Sequence, residues 1–218
     1  MILDIVCPDS VHEKYLQYVF RFAAKEKIQV VLKGSLANQT ATRFSDVDLC
    51  LLCDNDQIVE NFISGYEDIV MSARTVRPKG ILIVVYDDGI CVDIDVRKTI
   101  TQQEKEEGLL FIHQGIDNFV ASNIVRVEDM ILPSVPNRED WYQLLRLFHR
   151  SLIKTLSGKI KEGQSLLQEI KDALLFETKI MWRGEYAADI EEALVYMKNR
   201  YPMPEKLYDL LSGLIKQL

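Results

Sequence analysis

Two acids one residue apart, Asp46 and Asp48, follow a Gly34-Ser35 pair after a spacer of ten residues. On an extended strand successive side chains point to opposite faces, so these carboxylates project side by side. Carboxylates brought that close repel each other and lose hydration unless a cation lies between them. Oxygen-only ligands favour Mg²⁺, which keeps coordination positions for substrate phosphates. Gly34 allows the backbone to approach a ligand closely, and Ser35 offers a hydroxyl and an N–H to phosphate oxygens. A second acid-bearing stretch, Ile90–Val96, carries Asp93 and Asp95 on one face. Arg43, inside the spacer, is a candidate contact for a triphosphate, with a solvated surface residue as the alternative.

The elements that must hold these residues follow from apolar periodicity. Ser10-Val11-His12-Glu13 reads as a capping box opening a helix over about 10–26, with Tyr15, Leu16, Val19 and Phe20 at helical spacing. An apolar strand, Gln29–Lys33, delivers the Gly-Ser turn, and the polar stretch 38–45 has room for a short helix whose first amides face anions. A strand over 48–53 carries the acid pair. Asp54-Asn55-Asp56 then caps a short helix over Ile58–Ile63, closed by Gly65. Ile69–Val76 reads as a strand. Ile81–Tyr86, the turn Asp87-Asp88-Gly89 and Ile90–Val96 read as a hairpin. Thr101-Gln102-Gln103-Glu104 is a second capping box, predicting a helix over about 102–111. The stretch 112–135 shows no clear pattern, and Pro133-Ser134-Val135-Pro136 reads as a linker.

Beyond the linker the pattern turns helical, near 137–156, 160–182, 186–200 and 204–217, with short loops that suit an antiparallel bundle. Arg146, Arg150 and Lys154 recur every four residues as one stripe, and Lys171 and Lys179 form a similar pair on the next helix. Such cations either hold phosphates or are solvated, and Lys154 is the candidate for phosphate contact. His113 and His149 lack a ligand partner at useful spacing, and His12 lies within the first capping box. The expected architecture is therefore α+β: a mixed sheet flanked by helices over 1–132 and a helical bundle over 137–218.

The pattern Gly-Ser, spacer, Ser45-Asp46-Val47-Asp48-Leu49 and a later acid-bearing strand resembles the DNA polymerase β-like nucleotidyltransferase superfamily. The resemblance covers about residues 30–96. It implies a catalytic trio of Asp46, Asp48 and a third acid, two Mg²⁺ ions, and ATP or another NTP as co-substrate. In related families the third acid comes four residues after the hairpin glycine, which is Asp93 counted from Gly89. Asp95 shares its face and remains the alternative. The two-part architecture also resembles small-molecule nucleotidyltransferases such as the aminoglycoside and lincosamide-resistance enzymes. The implied reaction moves a nucleoside monophosphate, AMP in the first instance, from an NTP to a hydroxyl of a small acceptor. A toxin-like transferase acting on protein or tRNA and a non-catalytic nucleotide-binding relative are the competing readings. Glu104 and Glu128 are weak candidates for a general base.

Composition narrows the partners. A net charge of −7 argues against a general nucleic-acid binder, which needs a basic surface, and suits a cationic small acceptor. No apolar run reaches the ~20 residues that cross a bilayer, and the start lacks the features of a signal peptide, so a cytoplasmic protein with no membrane partner is expected. Cys50 and Cys53, three apart on a strand, point to opposite faces and are expected as buried apolar residues, with no disulfide.

Overall fold

Strand-forming residues are concentrated in one sheet. It comprises β1 (Gln29–Lys33), β2 (Val47–Leu52), β3 (Ile69–Val76), β4 (Lys79–Tyr86), β5 (Cys91–Arg97) and β6 (Leu109–Leu110), in the order β3-β4-β5-β2-β1-β6. The sheet is mixed: β2 and β5 run parallel, and the other neighbours are antiparallel. This computed structural model describes residues 5–76, 79–111, 115–175 and 180–218. His113 and Lys179 lie outside the described residues.

Alternation decides what each sheet face does. Val30, Leu32, Val47, Leu49, Leu51, Leu82, Val84, Val92 and Ile94 share one buried cluster with α1 (Ser10–Glu26) and α3 (Asp56–Ser64), through Tyr15, Val19, Phe62 and Ile63. Burial of each such side chain contributes about 1.5–3 kcal/mol. Tyrosine hydroxyls complete this layer. Tyr18 donates to Phe62 O at 2.6 Å and Tyr86 to Ile63 O at 2.8 Å, satisfying carbonyls at the C-terminal end of α3. The opposite face carries a smaller apolar group, Val31, Cys50, Leu52, Ile100, Leu110 and Ile116, and beside it the charged residues of β2 and β5.

Several local expectations are corrected. Asp9, not Ser10, caps α1, accepting from Val11 N at 3.0 Å and His12 N at 2.9 Å. The helical turn after β1 is α2 (Gly34–Ala37), starting at the glycine itself and not within 38–45. α4 (Gln102–Glu107) keeps its capping box at Thr101 and Glu104 but stops at Gly108, short of residue 111. A Cβ at Gly108 would overlap Val31 Cγ1 and lie 2.8 Å from Glu104 O. The chain can therefore pass close to β1 there, and Leu109 and Leu110 pair with Leu32 and Val31 as an edge strand.

The unpatterned stretch is held by side chains of the sheet and α3. Arg74 donates to Met130 O at 2.9 Å and to Val135 O at 3.2 Å. Ser134 Oγ donates to Glu60 at 2.5 Å, and Val135 is fully buried. Residues 133–136, expected as a linker, thus pack against the first unit. The chain divides into two compact units at Asn137/Arg138.

The second unit contains α5 (Asp140–Leu156), α6 (Ile160–Ala173), α7 (Tyr186–Arg200) and α8 (Glu205–Ile215). Among the described residues this makes eight α-helices in an α+β chain whose C-terminal region is helical. α5 and α6 approach closely at Gly163, where an added Cβ would overlap Thr155 Oγ1 and lie 2.9 Å from Ser151 O. α6 ends well before residue 182. Buried Asp189 accepts from Arg183 N at 2.6 Å, Gly184 N at 3.1 Å and Lys171 Nζ at 2.5 Å, fixing residues 183–184 as a loop. Lys171 is thereby an ion-pair partner, and no solvated stripe on α6 is formed by it. No helix among the described residues is long and apolar enough to cross a membrane.

Candidate active site

The register of three strands builds the site. Lys33 on β1 lies opposite Asp48 on β2, and Asp48 lies opposite Asp93 on β5. Asp46 precedes β2 and completes the group: one carboxylate oxygen each from Asp46, Asp48 and Asp93 lies within 4.8 Å of the others. All three residues are half-buried. Three hard oxygen donors converging at the end of a sheet, partly open to solvent, fit a divalent cation such as Mg²⁺ that retains room for further ligands. These three residues could hold such an ion.

Gly34 makes the approach possible. Its φ is +67°, and a Cβ there would overlap Asp48 Oδ2 and lie 2.9 Å from Asp48 Cγ. The glycine is required twice, by the left-handed backbone and by the carboxylate lying over it. Gly34→Ala is expected to displace Asp48, weakening Mn²⁺ binding and lowering turnover together by about 10- to 100-fold, a loss of the size seen when a ligand's support is removed. Calorimetric Mn²⁺ titration of the variant checks this, and unaltered affinity would separate Gly34 from the acid group.

The remaining expected residues lie on other elements. Ser35 sits in the first turn of α2, its carbonyl accepting from Thr40 N at 2.9 Å. Arg43 is exposed, with its guanidinium 4.5 Å from the Phe44 ring centroid. Lys154 lies in the last turn of α5, in the other unit. Cys50 and Cys53 fall in the two different apolar clusters, and burial pushes the Cys50 thiol up to about 12. It is inert as a nucleophile or metal ligand near neutral pH.

Asp95 has partners of its own, apart from the three converging acids. It is buried and bound by Arg97 at 2.5 Å and by Arg126 Nε at 3.0 Å. Arg97 also donates to Glu104 Oε1 at 2.6 Å, which accepts from Lys33 Nζ at 2.6 Å. Three cations and two carboxylates thus form one chain of ion pairs beside the acid group, tying β1, β5, α4 and Arg126 together. Burial pushes the Glu104 carboxyl up, but Lys33, Arg97 and the Thr101 backbone overcome it and hold it at about 2. Glu104 is consequently a poor proton acceptor, and Glu128 is exposed and paired with Lys79 at 3.2 Å.

A residue not singled out for function is His12. It is 2% exposed. Its Nδ1 lies 2.7 Å from Asp9 Oδ1, and its Nε2 donates to Ser45 O at 2.9 Å. Burial pushes the Asp9 carboxyl up, yet the backbone and ring of His12 and the Val11 N–H hold it below its ordinary value. The sequence signal is a histidine at a core position of the α1 stripe, three residues after an acidic cap.

No curated protein gives a match. A solved structure of the CdnE cyclic dinucleotide synthase of Elizabethkingia meningoseptica, with GTP and Apcpp, is 13% identical over 94% of this chain and 89% of that chain. Its TM-score is 0.27, too low for the likeness to bear on this site. Residues 14–114 match the nucleotidyltransferase domain family, a span that includes Gly34, Ser35 and all three acids. Those residues are a nucleotidyltransferase domain of the DNA polymerase β-like superfamily, and the protein is a nucleotidyltransferase.

Proposed function

We propose that this chain transfers a nucleoside monophosphate, AMP in the first instance, from an NTP to a hydroxyl of a small molecule such as an aminoglycoside or lincosamide-like antibiotic. The observation that carries the reading is the convergence of Asp46, Asp48 and Asp93 within 4.8 Å in a nucleotidyltransferase domain. The acceptor oxygen attacks the α-phosphorus, the bond to the bridging oxygen breaks, and pyrophosphate leaves. When bound, a pair of Mg²⁺ ions would neutralise the charge developing on the attacking and leaving oxygens. Asp46, Asp48 and Asp93 would hold them. Gly34 and Ser35 offer backbone and hydroxyl donors to the phosphates. Arg43 and Lys154 are assigned to phosphate charge, with residues 1–132 as the catalytic domain and residues 137–218 as a helical domain. The net charge of −7 favours a cationic acceptor. A cytoplasmic setting suits both co-substrates.

The test is a thermal shift with each NTP, with and without Mg²⁺, followed by mass spectrometry of a panel of hydroxylated acceptors. Stabilisation grows as RT ln(1 + [L]/Kd), about 2.7 kcal/mol when ligand exceeds Kd a hundredfold. Metal-dependent stabilisation by one NTP and a nucleotidylated small molecule are expected. Modification of tRNA or protein only would move the acceptor to a macromolecule. Absence of any metal-dependent nucleotide effect would overturn the catalytic reading.

A further inference from the structure

We infer that His12 is a positioning residue for the acid group, acting through the peptide bond that enters Asp46. The inference rests on the metal-dependent reading above. The α1 position it occupies lies three residues before Tyr15 and four before Leu16, both buried, so an apolar side chain would pack there at no polar cost. A buried imidazole instead loses hydration, which is offset only if both nitrogens find partners. Both do: Asp9 Oδ1 at 2.7 Å and Ser45 O at 2.9 Å.

The partner on the Nε2 side gives the contact its consequence. The Ser45 carbonyl shares a rigid plane with the N–H of Asp46, because a peptide bond does not rotate. The other polar groups of Ser45 are held locally: its N donates to Thr42 O at 2.9 Å, and its Oγ accepts from Thr42 N at 2.9 Å. The carbonyl ties this turn to α1 through His12. Holding that oxygen fixes the plane from which the Asp46 side chain departs, and so the direction of one of three converging carboxylates. Asp9 caps α1 and orients the ring, so the line of restraint runs from the start of α1 through Asp9 and His12 to the peptide plane before Asp46. Outer partners of this kind alter metal affinity by about 10- to 100-fold when removed.

Two substitutions divide the imidazole into its halves. The amide of His12→Asn reaches where Nδ1 stands and can meet Asp9 but not Ser45. The amide of His12→Gln reaches where Nε2 stands and can meet Ser45. Mn²⁺ affinity measured by electron paramagnetic resonance on the full chain, steady-state kinetics and the melting temperature are read for each, with Asp46→Asn as reference. His12→Asn is expected to weaken Mn²⁺ binding and lower kcat, each about 10- to 100-fold, with the nucleotide KM little changed, while His12→Gln stays close to the parent. The proposal is overturned if both variants bind Mn²⁺ like the parent. It is equally overturned if both lose affinity alike in step with a fall in melting temperature, which marks a purely structural role. If Asp46→Asn binds Mn²⁺ normally, the metal reading itself falls; if it does not and His12→Asn does, only the role of His12 is lost.

Discussion

Asp48→Asn is expected to lower nucleotidyl transfer by about a thousandfold or more while leaving the protein folded. Its carboxylate stands between Lys33 and Asp93 in the strand register and against Gly34, so no neighbouring acid can take its place. Charge stabilisation by metal at the reacting oxygens amounts to several kcal/mol, and about 4 kcal/mol corresponds to a thousandfold. Asparagine keeps the shape and removes one of three converging like charges. The metal-free variant should therefore melt at the same temperature as the parent or slightly higher. Turnover and melting are measured on the same preparation. Near-normal turnover would remove Asp48 from the reaction, and a large drop in melting temperature would assign it a structural task.

The largest effect on stability is expected at Arg97. Its side chain is 4% exposed and joins Asp95 to Glu104. Arg97→Ala leaves buried Asp95 and half-buried Glu104 with one partner fewer each, and breaking a buried pair such as Arg97–Asp95 costs about 3–5 kcal/mol. Arg97→Lys restores the charge but not the two-pronged geometry, so it should recover only part of the loss. Urea unfolding of both variants measures this. The same network sets an acid limb. Glu104 is lowered from 4.5 to about 2, so its contribution is complete above pH 4.5 and disappears as the pH falls toward 2. Glu104→Gln should flatten the loss of stability in that window. Equal slopes for variant and parent would show that the Lys33 and Arg97 contacts do not stabilise the folded state.

The sheet, α1, and the acids of β2 and β5 were legible because alternation and helical spacing are local properties of the chain. β1 and β3 fall at the expected residues, and the polymerase β-like motif pointed to the same acids that converge in space. What escaped depends on partners distant in sequence. The end of α4 is set by Gly108 passing close to Val31, a contact no local pattern encodes. Residues 133–136 resemble a linker by composition, but Glu60 and Arg74 hold them to the first unit. α6 is apolar and periodic in sequence beyond its true end at Ala173, while Lys171 in its last turn pairs with buried Asp189, a partner distant in sequence. Asp93 and Asp95 were inseparable by alternation. The distinction comes from Arg97 and Arg126, which engage Asp95, and Arg126 lies in a stretch without periodic pattern. His12 was read as part of a helix cap, because its second partner is a main-chain carbonyl.

The parallel pairing of β2 with β5 has a consequence for how the protein is made. Between these strands the chain forms α3 and β3 and then turns back through β4, so β4–β5 can zip as a hairpin from local contacts. Docking that hairpin onto β2 closes a long loop, and pairings of this kind form late because closure entropy precedes their reward. Asp93 meets Asp48 only at this step. An incompletely folded chain therefore has no preformed trap for divalent ions, and a nascent molecule cannot sequester metal or nucleotide before its central strands have joined. Metal affinity in a refolding experiment should appear with the slow docking phase, not with early helix signal, making the ion a reporter of the last long-range contact to form.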